Sequence, residues 1–173
     1  KRELNRDLNR IIELKDWCDH RGKTLYGLAN SGCLNNCSAH VFHDNLVSHE
    51  SEIASMDNGY AFEGICRKYL KKRENAHALL DYTSYIRPED VHHYEGIFPA
   101  MKLATRVSMY PVRILKAYIE DHAYKGSVMD LLEPNHTGAL YPWLLENERI
   151  SSKMQDGKLI YGNLEDAFIR LEY

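Results

Sequence analysis

Short apolar runs that suit strands alternate with amphipathic runs that suit helices, and this alternation restricts the fold of the chain more than any other feature. Leu4, Leu8, Ile11 and Ile12 recur at helical spacing, with Asn, Arg, Glu and Lys on the other face and Gly22 as a stop. KTLYGLAN, Lys23 to Asn30, reads as a short buried strand. Tyr60 to Leu80 reads as helix, with a basic patch at KYLKKR. Tyr82 to Ile86 suits a strand, and Pro88 followed by Glu89 and Asp90 suits a short helix that ends near Gly96. Phe98 to Arg106 is the next strand. Pro111 to Tyr124 is an amphipathic helix with Val112, Leu115, Ile119 and Ala123 on one face, closed by Gly126. The order helix, strand, helix, strand, helix, strand, helix predicts an α/β fold with parallel strands.

Beyond Asp130 the periodicity fades, and Pro134, Gly138, Pro142 and Gly157 interrupt it. Short helices are expected around Tyr141 to Asn147 and Leu164 to Leu171, with KLIYG as an edge strand. Nothing in the chain reads as a linker or a repeat. One domain is therefore expected over residues 1–173, with 131–173 as an irregular C-terminal extension.

Charge and composition exclude several classes. A formal net charge of -3 argues against general affinity for nucleic acid. No apolar run approaches the roughly 20 residues that span a bilayer. The opening KRELNRDLNR lacks a signal-peptide pattern. The four cysteines, Cys18, Cys33, Cys37 and Cys66, are unevenly spaced and do not resemble a secreted disulfide scaffold. The expected setting is reducing and cytoplasmic, where clustered thiols favour metal over disulfide.

SGCLNNCSAHVFH, Ser31 to His43, is the stretch richest in chemistry. Cys33 and Cys37 fall just past the carboxyl end of the first strand, where parallel α/β folds build their sites. Gly32 allows a sharp turn, and Asn35 and Asn36 tolerate turn conformations. Three readings compete. In the first, the thiolates hold an iron–sulfur cluster, with Cys66 as a third ligand from the following helix. In the second, Cys33, Cys37, His40 and His43 hold zinc in a compact mixed tetrahedron. In the third the cysteines pack as small hydrophobes and bind nothing. Cys33, Cys37 and position 40 also match the spacing of the radical S-adenosylmethionine motif, but His40 stands where that motif has its third cysteine. Cys18, at the end of the first helix, reads as structural.

MKLATRVSMYPVRILKAYIED, Met101 to Asp121, resembles a segment of the bacterial collagenase-like peptidase family. There a strand ends in a pattern like Leu-Lys-Ile-Glu-Gly-Arg, and a Ser-Pro-like helix start leads to an Ala-Tyr pair. Lys102 and Arg106 match the Lys and Arg, and Ala117 and Tyr118 match the Ala-Tyr. Ala104 and Thr105 stand where the family has Glu-Gly, so a role carried by that acidic residue does not transfer. GCLNNC resembles the family's cysteine loop, and YIRPEDVHHYEG its preceding strand end and short helix. The resemblance runs from about Leu4 to Asp130.

That resemblance implies a partial fold, the C-terminal portion of a (β/α) TIM-type barrel. Relatives in the superfamily include RNA-hydroxylation and oxygen-independent ubiquinone-hydroxylation proteins. Their four-iron cluster is held by cysteines, one of them from the N-terminal half. The implied ligands here are Cys33, Cys37 and Cys66, and the implied chemistry is redox modification rather than hydrolysis. No Gly-x-Ser-x-Gly elbow and no His-Glu-x-x-His helix is present. Arg87 and Arg106, at strand ends, are placed to clamp an anionic or polar small-molecule substrate, and Lys102 to point into the barrel. His92 and His93 are adjacent, so on a helix they diverge by about 100° and do not suit one metal. Tyr118 reads as core. The competing class is a non-enzymatic interaction domain. It would be stabilised by zinc, or would complete its barrel against a second chain or another copy of itself.

Overall fold

The structure, a computed structural model, describes residues 2–52, 64–105 and 108–172. A short 3-10 turn at Arg2–Leu4 leads into helix α1, Leu8–Asp19. Asp7 caps α1, its carboxylate accepting from Arg10 N at 3.2 Å. Ile11 and Cys18 are the buried residues of α1, so Cys18 is a packing cysteine. Strand β1 is Gly27–Leu28, inside the predicted strand. Helix α2, His40–Glu52, follows the cysteine loop. Helix α3, Ile65–Leu70, a 3-10 turn at Arg73–Asn75 and helix α4, Ala78–Asp81, break up the stretch expected to be one helix. A 3-10 segment, Pro88–Tyr94, stands where the short helix after Pro88 was expected.

Strand β2, Met101–Lys102, pairs with β1 in parallel, Gly27 opposite Met101 and Leu28 opposite Lys102. One further bond extends the β1–β2 pair, and one bond brings the predicted strand Tyr82 to Ile86 against the end of β1. Ala29 N donates to Lys102 O at 3.0 Å, and Ile86 N donates to Ala29 O at 2.8 Å. The three sequence segments do lie side by side, with the parallel ladder confined to two residues in each strand. The described residues do not form a barrel.

Helix α5, Pro111–Leu115, continues as a π turn, Lys116–Asp121. The buried side is Ile114, Ala117 and Tyr118. The face expected from the sequence is the outer one, with Val112, Leu115 and Ile119 all exposed.

The C-terminal stretch is more ordered than its composition suggests. After α6, Thr137–Leu140, strand β3, Trp143–Leu145, occupies a segment predicted as helix. Strands β4, Ser151–Gln155, and β5, Lys158–Gly162, form an antiparallel hairpin. Its two-residue turn is Asp156–Gly157 with φ +50 and +71, the twist that suits a tight hairpin. Helix α7, Leu164–Ala167, runs into β6, Phe168–Arg170, which pairs antiparallel with β3. Leu145, Ile150, Leu159, Tyr161 and Phe168 enter the same hydrophobic cluster as Ile11, Ala29 and Ile86. Residues 131–172 thus complete the core rather than trailing from it. Among the described residues no helix is long and apolar enough to cross a membrane.

Candidate functional site

The cysteine loop is tied down at its base before it reaches the cysteines. Asn30 is fully buried. Its Nδ2 donates to Ala104 O at 2.7 Å and to Leu131 O at 2.9 Å, and its Oδ1 accepts from Ala104 N at 2.7 Å. One side chain therefore joins the ends of β1 and β2 to the segment before Glu133. Glu133 N donates to Asn30 O at 3.0 Å, and Gly32 N donates to Glu133 O at 2.9 Å. Gly32 lies so close to Pro134 that a Cβ there would overlap the Pro134 carbonyl oxygen. Any side chain at this position would push the two segments apart.

His136 completes the clamp. It is buried, and its Nε2 lies 2.8 Å from Gly32 O. A carbonyl accepts, so Nε2 carries the hydrogen and Nδ1 the lone pair when the ring is neutral. Burial and, less strongly, the Arg67 charge lower the His136 pKa, against the Gly32 carbonyl, which raises it. Sequence reasoning passed over His136. Its one signal was a histidine between Asn135 and Thr137 in a turn-rich stretch.

Beyond Gly32 the chain turns through Asn36, at φ +57, a conformation asparagine tolerates. Cys33 and Cys37 are both half-buried. Cys37 lines an open pocket of about 280 Å³ together with Cys66 of α3, and Leu34, Ile65, Tyr69 and Tyr82 supply most of its apolar wall. Cys66 is the sequence-predicted third ligand, and the structure brings it to Cys37. Burial pushes the Cys66 thiol up, and neighbouring Cys37 adds to the shift. The backbone N–H groups of Arg67 and Cys66, with the Arg67 charge, partly oppose it. A thiol held protonated in this way is a poor nucleophile in its free state. A bound cation would reverse the balance, because it stabilises both thiolates at once.

The predicted histidine ligands lie on α2, directly after the cysteine loop. His40 opens α2, and its Nε2 is 3.0 Å from Asp44 Oδ2 one turn on. His43 is half-buried on the same helix. Among the described residues no group of three or more His, Cys, Asp or Glu side chains is arranged to hold a metal. The four-residue zinc set is therefore not assembled, and Cys37 and Cys66 share the wall of one pocket.

The predicted substrate cations have mixed outcomes. Arg87 is 6% exposed, and its guanidinium is consumed internally. Nε donates to Asn147 Oδ1 at 3.0 Å, Nη2 to Asn147 O at 3.0 Å and Nη1 to Ile150 O at 2.9 Å. Glu89 and Asp90 lie within 3.5 and 4.0 Å of it. In place of an open clamp, Arg87 is a strut that holds the C-terminal segment onto the strand end. Lys102 is exposed on β2 instead of pointing into an interior. Arg106 lies outside the described residues. Tyr118 is core, as expected, its hydroxyl donating to Ile86 O at 2.6 Å.

The chain is similar to a protein named as an uncharacterised protease of Methanocaldococcus jannaschii. The two are 28% identical over 136 residues, which is 75% of this chain and 38% of that protein. The chain thus spans well under half the length of this relative. No family model matches the chain. No solved structure matches it.

Proposed function

We propose that this chain is the thiolate-bearing portion of a longer protein of the collagenase-like peptidase class, and that Cys37 and Cys66, with Cys33 from the same loop, supply its share of the ligands for an iron–sulfur cluster or related soft metal. The observation that carries this reading is the convergence of Cys37 and Cys66, from separate elements, on one pocket beyond the carboxyl end of β1. Thiolate sulfur is the donor that clusters and soft metals prefer. Remaining ligands would come from outside this chain, in keeping with a relative of which it spans 38%. A resident cluster would supply electron transfer for a redox modification such as hydroxylation.

The relative's name points to proteolysis, and the raised Cys66 thiol disfavours that one side chain as a free nucleophile. A cysteine nucleophile needs a depressed pKa, and burial beside Cys37 raises this one. The chain's own part is to hold two thiols together, limit water with the apolar wall of the pocket, and fix the loop through Asn30 and His136. A (β/α) barrel architecture belongs to the same proposal. It is supported by the parallel β1–β2 pairing and by the position of the loop at a strand's carboxyl end.

Anaerobic reconstitution with ferrous iron and sulfide tests the reading. Wild type is expected to gain a broad visible band with bound iron and sulfide, and Cys37→Ala and Cys66→Ala to lose it. Cys18→Ala, which alters a packing cysteine in α1, should keep it. A band of equal strength in the Cys37 and Cys66 variants would remove these residues from the site, and no iron in any form of the chain would end the cluster reading. Zinc retained through purification without sulfide would replace it with a zinc-stabilised domain.

A further inference from the structure

We infer that a second pocket, between the segment after β2 and the chain that follows α5, binds a small uncharged molecule with an apolar body and an amide-like edge, a donor beside an acceptor. Its volume is about 430 Å³, larger than the thiol pocket and within the range of small-molecule sites. Met109 and Tyr110 line it from the segment after β2, and Asp130, Leu132, Asn135 and Thr137 from the chain beyond α5. The first of these segments follows the carboxyl end of β2, the side on which parallel α/β folds build their sites. The inference goes beyond the thiolate reading and needs no metal.

The walls are fixed by bonds of their own. The Arg113 guanidinium sits over the Tyr110 ring, 4.6 Å from Cζ to ring centre, and its Nη1 donates to Asp130 Oδ2 at 3.1 Å. Tyr124 OH donates to the same oxygen at 2.8 Å. Thr137 N donates to Asn135 Oδ1 at 2.8 Å. Leu132 is buried and lies against Gly32, the residue before Cys33. These bonds leave a defined set of groups for an occupant. Among the described residues nothing donates to Asp130 Oδ1, nothing accepts from Asn135 Nδ2, and the Thr137 hydroxyl has no protein partner. Met109, Tyr110 and Leu132 supply the apolar surface. Asp130 is already paired with Arg113, and among the described residues no cation lines the pocket. A carboxylate here would meet acceptors and no counter-charge, and an ammonium would compete with Arg113 for Asp130. An uncharged carboxamide suits what remains: its NH₂ would donate to Asp130 Oδ1, and its oxygen would accept from Asn135 Nδ2 or Thr137.

Titration of the metal-free chain with four single-ring probes tests this. Benzamide carries the amide edge, benzoate a negative charge, benzylamine a positive one, and toluene the apolar body alone. The readout is the methyl NMR signal of Met109, which is 84% exposed and is identified by its loss in Met109→Leu. Benzamide is expected to shift this signal saturably and to bind several-fold more tightly than the other three. Thr137→Phe, at an exposed position on the wall, should abolish the shift by filling the pocket. Asn135→Asp keeps an oxygen for Thr137 N and loses the Nδ2 donor, so it should weaken benzamide several-fold. Where circular dichroism shows that Thr137→Phe does not fold, Asn135→Asp decides. Absence of a saturable shift with benzamide, or a shift unchanged in folded Thr137→Phe, would overturn the site. Affinity unchanged in Asn135→Asp, or tighter binding of benzoate, benzylamine or toluene, would overturn the amide edge. Cys37→Ala and Cys66→Ala should bind benzamide as wild type does. Failure of iron loading in the reconstitution experiment would leave these titrations untouched, so the two proposals fail separately.

Discussion

Arg87 shows how a residue type can be legible while its partner is not. A strand-end arginine reads from the sequence as a ligand clamp, with Glu89 and Asp90 as its local alternatives. The acceptors it uses, Asn147 and Ile150, lie some sixty positions away in a stretch without periodicity. Only the tertiary fold brings them to the guanidinium. Removing the side chain would strand three buried acceptors and leave Glu89 and Asp90 without their cation. Arg87→Ala is expected to lower stability by about 3–5 kcal/mol. Arg87→Lys should recover part of that, since it restores charge but not the planar fork. Urea midpoints on the three proteins check this. A loss in Arg87→Ala no greater than that of an exposed arginine such as Arg149 would refute the strut. Cys33 and Cys37 were legible for a different reason. Their position depends on a local strand end and a turn, and both are written in adjacent residues.

At the scale of elements, the helix that begins at Pro111 is the instructive case. Its existence follows from Pro at the first position and from the apolar spacing beyond it. Its orientation does not, because the sequence carries two apolar stripes. Val112, Leu115 and Ile119 form one, and Ile114, Ala117 and Tyr118 the other. At about 100° per residue the two lie on nearly opposite sides. Summed hydrophobicity favours the first. The fold buries the second, where the Tyr118 hydroxyl finds Ile86 O and the small Ala117 allows close approach. Periodicity reports that a face exists, and packing chooses between two. Ile114→Ala is expected to cost about 2–5 kcal/mol by opening a cavity in the core. Val112→Lys and Ile119→Lys, at exposed positions, should each stay within about 0.5 kcal/mol of wild type. Thermal or urea denaturation decides, and the reverse order of effects would show that the predicted stripe is the buried one after all.

For the whole molecule, the alternation of helix and strand anticipated the parallel contact between β1 and β2 and the approach of Ile86 to Ala29. It did not anticipate that the last third would close the core. β4 is exposed at every position, so its residues carry no alternating pattern to read. β5 alternates buried and exposed, and its apolar run KLIYG reads from the sequence as an edge strand. The resemblance to collagenase-like peptidases agrees with the name of the relative as a protease, of which this chain spans 38%. Within this chain, residues 131–172 share one hydrophobic cluster with α1 and β1, and Asn30, Arg87 and His136 bind them to it through buried hydrogen bonds. One cooperative unit follows from such shared burial. The two tryptophans report on its two ends. Trp17 lies in α1 under the Arg21 guanidinium, 4.1 Å from ring centre to Cζ, and Trp143 lies in β3 beneath Arg73 at 5.0 Å. Trp143→Phe leaves a probe of the first helix, and Trp17→Phe leaves a probe of the C-terminal strands. Corrected for any shift in overall stability measured by circular dichroism, the fluorescence transitions of the two variants in urea are expected to coincide with the loss of helix, with equal slopes. A C-terminal probe that melts at lower urea than the helix signal of the same variant would make residues 131–173 a separately folding extension, and Arg87 its hinge rather than its strut.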